Sequence, residues 1–174
     1  LIERGETTEA DLVYGRCDYT DQAGRFLCSF VPAEPDQLLP LFRSGILGFA
    51  QQSTIFRDRL YHQLEGFNED YFLRADAEFY QRALLKENKF TKLEGASVAA
   101  FRRHRNQLSH RKAQQMQEEK QKMLTVVGQK TLLDQMTLLQ WRLKNIPDYA
   151  IRILRPSSLE NKLKITRAEK IGSQ

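Results

Sequence analysis

The sequence reads RADAEFYQR from residue 74 to residue 82, and the elements on either side are placed relative to this stretch. Apolar side chains recur through it at three- and four-residue spacing, which predicts a helix from Asp76 to Lys86. Glu78 and Arg82 lie four residues apart, so we expect an ion pair between them on the outer surface of this helix. The predicted buried face consists of Phe79, Tyr80, Ala83 and Leu84.

Short extended segments surround this helix. Residues 11–19 and 25–30 read as two strands, and the turn residues between them predict a hairpin. A shorter helix is expected over residues 58–65, with Gly66 at the position of a C-terminal cap. This order of strands and helices predicts an α/β fold class. Two further short strands are predicted at residues 90–93 and 97–101.

The C-terminal part has a helical pattern over residues 110–145, which Gly128 is expected to divide into two helices. In its second half, apolar residues recur along one stripe at three- and four-residue spacing. We interpret this stripe as a face that packs against the α/β part, with contact to a membrane surface as the alternative. The stripe consists of Leu132, Met136, Leu139 and Leu143.

Charge is distributed unevenly along the 174 residues. The formal net charge is +5, yet residues 1–101 contain 11 Lys or Arg against 16 Asp or Glu, whereas residues 102–174 contain 16 against 6. The basic end is a candidate surface for phosphate-bearing partners. It has few aromatic residues and no recognisable binding motif, so nucleic acid is not expected as a partner. No apolar run is long enough to span a bilayer, and we expect a cytoplasmic protein.

Four motifs follow one another at defined distances. They are QSTIFR at 52–57, GFNE at 66–69, RADAEFYQR at 74–82, and FRRH at 101–104 followed by Ser109. Together they resemble family-two inverting glycosyltransferases of bacterial polysaccharide synthesis over residues 10–110. The turn reads EGFNE where that family has a Gly-Gly-Phe-Asp-Glu-like sequence, so it departs at two places. The resemblance implies the acceptor-side, C-terminal half of a GT-A fold with a mixed sheet in residues 1–109, and a basic helical extension in residues 110–174.

Asp76 matches the general base of that family. A sugar hydroxyl is a poor nucleophile until a nearby carboxylate takes its proton as the new C–O bond forms, so a carboxylate suits this role. The alternative is that Asp76 only caps its helix, because Asp is a preferred N-cap residue. The resemblance also implies that Ala75 and Asp76 contact the acceptor and that Gln52 lines its pocket. For Gln52 the alternative is an amide bound to the backbone.

The basic run after the last predicted strand supplies the candidates for the donor side. His104 matches the position where many relatives place a histidine that reaches the metal ion or the donor diphosphate. Arg102 and Arg103 would add charge-assisted contacts to phosphate. A solvated loop is the alternative for His104. Glu78 and Arg82 are expected to support the site structurally rather than to touch substrate.

The resemblance also implies groups that this sequence lacks. GT-A enzymes bind Mn²⁺ or Mg²⁺ through an Asp-x-Asp motif in a nucleotide-binding half, and no Asp-x-Asp occurs in this chain. We therefore expect the donor-binding half to lie outside this sequence and the chain alone to transfer no sugar. The implied partners are a nucleotide-sugar donor and a glycan or lipid-linked acceptor.

Two further expectations concern association. The basic C-terminal helix is compatible with a peripheral position at the inner face of the membrane. A sheet that lacks its neighbouring strands is compatible with a homo-oligomer. The alternative function is a non-catalytic module in which the helical stretch from Gln114 to Asn145 docks a partner or lies on an anionic membrane surface, with Trp141 and its basic neighbours at the interface.

Overall fold

The computed structural model describes residues 9–104 and 107–146, which form a mixed α/β structure with two small sheets. The strands are β1 Leu12–Tyr14, β2 Cys17–Thr20, β3 Phe26–Phe30, β4 Thr54–Phe56, β5 Phe90–Lys92 and β6 Ala99–Arg102. The helices are α1 Leu38–Arg43, α2 Asp58–Gln63, α3 Ala75–Leu85, α4 Leu108–Arg111, α5 Ala113–Val126 and α6 Leu132–Lys144. Single 3-10 turns lie at Pro35–Gln37 and Gln51–Ser53. The predicted α/β class is therefore confirmed.

Each sheet has three strands and a mixed pattern. In the first, β1 lies between antiparallel β4 and parallel β5; in the second, β2 lies between antiparallel β3 and parallel β6. The hairpin predicted from residues 11–30 is present as β2 and β3. Its cysteines, Cys17 and Cys28, are buried and are not joined by a disulfide.

The single strand predicted over residues 11–19 is two strands, because the chain bends at Gly15. The Gly15 amide donates to the Ser53 carbonyl at 3.0 Å instead of continuing one ladder. A Cβ at Gly15 would lie 2.9 Å from a methyl group of Val98, so a larger residue at this bend would require the Val98 side chain to move. The segments before and after the bend consequently belong to different sheets.

The main core forms where α3 covers the first sheet. Phe79 and Ala83 are fully buried on α3, as the helical spacing predicts, and Phe79 stacks against Phe56 with ring centroids 4.9 Å apart. On the sheet side, Tyr14 is fully buried and its hydroxyl donates to the Ala33 carbonyl at 2.9 Å. The helix begins at Ala75 and ends at Leu85, one residue earlier at each end than predicted.

The two C-terminal helices pack against this α/β part. Met123 on α5 and its C-cap residue Val127 join a second core cluster with Tyr71 and Phe42, while Trp141 on α6 joins the main cluster. The break between the helices falls at Gly128, which has a φ of 83°, as predicted. Each of the two hydrophobic clusters therefore contains residues from before and from after the predicted boundary at residue 110.

The predicted packing face of α6 is wrong, because the helix is rotated by half a turn from the expected orientation. Trp141 lies 6.2 Å from the Phe30 ring, and Asp134 lies 3.6 Å from the Arg43 guanidinium, so these residues face inward. The predicted stripe faces outward instead. Its exposed fractions are 78% for Leu132, 58% for Met136, 58% for Leu139 and 56% for Leu143. None of the helices within the described ranges is long and apolar enough to cross a membrane.

Candidate active site

Asp76 is the second residue of α3 rather than its N-cap. The N-cap is Arg74, whose side chain makes no capping hydrogen bond, and Ala75 is the first helical residue. The Asp76 carboxylate accepts one hydrogen bond from the Ala77 amide at 2.7 Å. The alternative that Asp76 is the N-cap residue is therefore wrong. Its carboxylate lies in the first turn, where a negative charge interacts favourably with the helix dipole.

The Asp76 carboxylate is only partly open to solvent. Burial raises its pKa, while the Ala77 amide and the positive charge of Arg74 act in the opposite direction. Burial in turn lowers the pKa of Arg74. A carboxylate whose pKa is raised toward neutrality is a stronger proton acceptor once ionised, which is the property that a general base needs.

Tyr80 lies one helical turn beyond Asp76 and connects α3 to the sheet. Its side chain is 3% exposed, and its hydroxyl is 3.0 Å from the Thr54 hydroxyl on β4. Burial raises the pKa of Tyr80, and the negative charge of Asp76 raises it further. The phenol therefore stays neutral at physiological pH. The i,i+4 spacing from Asp76 could have indicated this neighbour, but the sequence analysis assigned Tyr80 only to the core.

We expect Tyr80→Phe to lower the free energy of unfolding by about 1 kcal/mol, because it removes one buried hydroxyl hydrogen bond. Thr54→Val should have a larger effect, since it removes both the contact with Tyr80 and the hydrogen bond to the Gln51 carbonyl. Urea unfolding of both single variants and the double variant measures the coupling between them. Strictly additive losses would mean that the two hydroxyls do not interact.

Gln52 lies on the 3-10 turn that precedes β4, and its side chain is exposed. The next residue, Ser53, is fully buried and its hydroxyl donates to the Ala50 carbonyl at 2.8 Å. The Thr54 hydroxyl donates to the Gln51 carbonyl at 2.7 Å, which connects the turn to Tyr80. Gln52 is thus held on a fixed turn next to the Thr54–Tyr80 contact, with its amide open to solvent.

The donor-side candidates lie at the end of β6. Arg102 and His104 are exposed, whereas the Arg103 guanidinium lies 5.9 Å from the centre of the Tyr19 ring on β2. The 3-10 turn that carries Gln52 packs against β6. Gln52 and the basic residues at the end of β6 therefore border one region of the fold. Within the described residues, no hydrogen bond or ion pair joins Asp76 to this basic run.

Glu78 and Arg82 form the expected pair, but it is not on the surface. Glu78 is 7% exposed, and its carboxylate accepts from the Arg82 guanidinium at 2.8, 2.9 and 3.0 Å. The same guanidinium donates to the Leu64 carbonyl and, at 2.7 Å, to the Gly66 carbonyl. The pair therefore fixes the end of α2 and the following turn to α3, which is more than an exposed helix pair would do.

Glu119 on α5 organises the loop that leads into α3. Its carboxylate is 8% exposed and accepts from the amides of Leu73 and Arg74, each at 2.9 Å, and from that of Phe72 at 3.3 Å. The Arg74 side chain also reaches α5, where it donates to the Met116 carbonyl at 2.8 Å. The sequence analysis missed Glu119, because no local pattern connects it with residues more than forty positions earlier.

The described residues do not complete a site for Mn²⁺ or Mg²⁺. Nowhere in residues 9–104 and 107–146 do three His, Cys, Asp or Glu side chains come together as metal ligands. His104 is the predicted ligand, and it stands on an exposed segment. A hard divalent cation prefers several oxygen ligands, so one imidazole is not a sufficient site for it.

Comparison of the chain with protein-family models, with curated proteins and with solved structures gives no significant match. A function must therefore be inferred from the site itself. The basis for that inference is a partly buried carboxylate, Asp76, on a helix that Tyr80 connects to the Thr54 end of the turn carrying the exposed Gln52 amide.

Proposed function

We propose that this chain is the acceptor-side part of an inverting nucleotide-sugar glycosyltransferase, with Asp76 as the general base. One observation carries the proposal. Burial raises the pKa of the Asp76 carboxylate, its hydrogen bonds come from the backbone amides of Ala77 and of Asp76 itself, and it forms no ion pair within 4 Å among the described residues. A carboxylate that is desolvated but not neutralised keeps its capacity to accept a proton from a bound hydroxyl.

In the proposed reaction, an acceptor hydroxyl lies within hydrogen-bonding distance of Asp76. The hydroxyl oxygen attacks the anomeric carbon of the donor while its proton passes to the carboxylate. The bond from that carbon to the nucleoside diphosphate breaks in the same step, and the diphosphate leaves with the bonding electrons. One displacement of this kind inverts the anomeric centre. Gln52 would bind the acceptor through its exposed amide.

The donor side of the proposal depends on residues outside this sequence. A divalent cation would neutralise charge on the leaving diphosphate, but its oxygen ligands would have to come from the donor-binding half. Arg102 and His104 are exposed and therefore free to contact phosphate. Arg103 is the weaker candidate, because its guanidinium is placed against Tyr19.

A comparison of two polypeptides tests this proposal. We expect the 174-residue chain alone to release no nucleotide from a panel of sugar nucleotides with Mn²⁺ and acceptor glycans. A longer polypeptide that joins it to a donor-binding half should release nucleotide only when acceptor is present. Anomeric configuration of the product, measured by NMR, should be opposite to that of the donor. Retention of configuration would rule out the single displacement.

A further inference from the structure

The outward face of α6 carries a continuous apolar stripe. We define it as Leu132, Met136, Leu139 and Leu143 on α6 together with Ile146 just after the C-cap of the helix; each of these side chains is more than half exposed. Their spacing of four, three, four and three residues places them along one side of the helix. The buried residues Leu138 and Trp141 lie on the opposite side, so the stripe points directly away from the core. Monomeric soluble proteins seldom expose such a row without a partner.

The polar residues of α6 that border this stripe are neutral or basic, and one of them, Lys144, lies 3.9 Å from the Glu34 carboxylate. Gln135 and Arg142 flank one edge, and Gln140 and Lys144 flank the other, while Lys130 precedes the helix. All of these residues are exposed. No exposed side chain of α6 is acidic, since its one carboxylate, Asp134, is 2% exposed.

Burial of acidic groups makes the neighbouring surface more basic than the sequence indicates. Residues 107–146 contain seven Lys or Arg and three Asp or Glu. Two of those carboxylates, Glu119 and Asp134, face the interior and are bound there. Glu118 is therefore the one carboxylate that this part of the chain presents to solvent.

We propose that the stripe binds an anionic lipid bilayer, with α6 lying in the plane of its interface. The apolar side chains would enter the boundary between headgroups and acyl chains, and the basic border would contact anionic headgroups. This inference does not depend on the proposed sugar transfer, because none of the residues of the candidate active site lies on α6.

Charge favours a bilayer over a second copy of the chain. Two helices that pair along a stripe of this spacing are usually matched by opposite charges at the bordering positions. Here those positions hold glutamine, arginine and lysine, and antiparallel pairing would bring Lys130 of one copy near Arg142 and Lys144 of the other. An anionic surface attracts all three of these side chains.

Vesicle flotation of the full chain tests the proposal. The chain should float with vesicles of phosphatidylcholine mixed with phosphatidylglycerol, and not with phosphatidylcholine alone. Replacing Leu139 and Leu143 together by Glu should lower the partition coefficient by at least about tenfold. The matched control replaces Gln117 and Gln121, which are exposed on α5, by Glu. It adds the same negative charge away from the stripe and should reduce binding much less.

Three outcomes would overturn the proposal. The first is failure of the wild-type chain to float with anionic vesicles. The second is an equal loss of binding in the stripe variant and in its charge-matched control. The third is sedimentation of the wild-type chain as a dimer that the stripe variant converts to a monomer. The neutral double variant Leu139→Gln with Leu143→Gln should also bind weakly, and unchanged thermal unfolding of the variants excludes misfolding as the cause.

Discussion

Asp76→Asn should lower the rate of sugar transfer by about 10²- to 10⁴-fold in a polypeptide that contains both halves of the enzyme, because it removes the general base. The asparagine side chain has nearly the same shape, so donor binding and the fold should be retained. Nucleotide release and donor affinity, measured separately, distinguish a loss of chemistry from a loss of binding. Unchanged turnover of Asp76→Asn would contradict the assignment of Asp76 as the general base.

The same substitution should make the protein more stable near neutral pH. Because burial raises the pKa of Asp76 in the folded state, the folded protein binds a proton more readily than the unfolded chain. Stability contributed by this group is therefore highest below the ordinary value of 3.8 and falls as pH rises through the raised pKa. Asn does not ionise, so Asp76→Asn avoids this loss.

Turnover should rise with pH over the range in which the stability contributed by Asp76 falls. Only the ionised carboxylate can accept a proton, so turnover should rise as pH increases through the raised pKa of Asp76. Asp70→Asn is the matched control, since Asp70 is an exposed carboxylate six residues earlier and should alter neither turnover nor stability appreciably. If the control and Asp76→Asn changed turnover equally, general charge rather than a base would be responsible.

Glu119→Ala should lower the free energy of unfolding by about 3 kcal/mol, because it leaves buried amide donors without their charged acceptor. Urea unfolding measures this change. Glu118→Ala is the matched control: Glu118 is the preceding residue, its carboxylate is exposed, and among residues 9–104 and 107–146 its one hydrogen bond comes from Gln114 at 2.9 Å. Glu118→Ala should lower the free energy of unfolding by less than about 0.5 kcal/mol.

Hydrogen exchange locates the effect of Glu119→Ala. The amides of Leu73 and Arg74, which donate to this carboxylate, should exchange faster in the variant, whereas the amides of the β-strands should be affected less. Equal acceleration throughout the molecule would point to a general loss of stability. In the active polypeptide, Glu119→Ala should also reduce turnover, since the loop it binds leads directly into the turn that carries Asp76.

Local sequence patterns were sufficient for the features that depend on neighbouring residues. The buried face of α3 followed from the spacing of Phe79 and Ala83, and the helix break followed from Gly128. The bend at Gly15 was missed, because it depends on contacts with Ser53 and Val98 that come from distant parts of the chain. Helical periodicity also could not orient α6, which has apolar residues on two opposite faces.

The candidate site was only partly accessible to sequence reasoning. A resemblance drew attention to Asp76, Gln52 and the basic run, and their roles stay predictions. The burial of Glu78 could not be foreseen, because i,i+4 spacing is the same for an exposed and a buried pair. The contacts of Tyr80 with Thr54 and of Glu119 with the loop before α3 depend on how separate elements meet in space.

The position of Glu119 in the chain has a consequence for the order of folding during synthesis. The residues of both sheets leave the ribosome before residue 119 does, so they can begin to pair first. The three amides that precede α3 gain their carboxylate only after much of α5 has emerged. The loop that orients the proposed base is therefore among the last parts of the described chain to become ordered in a newly made molecule.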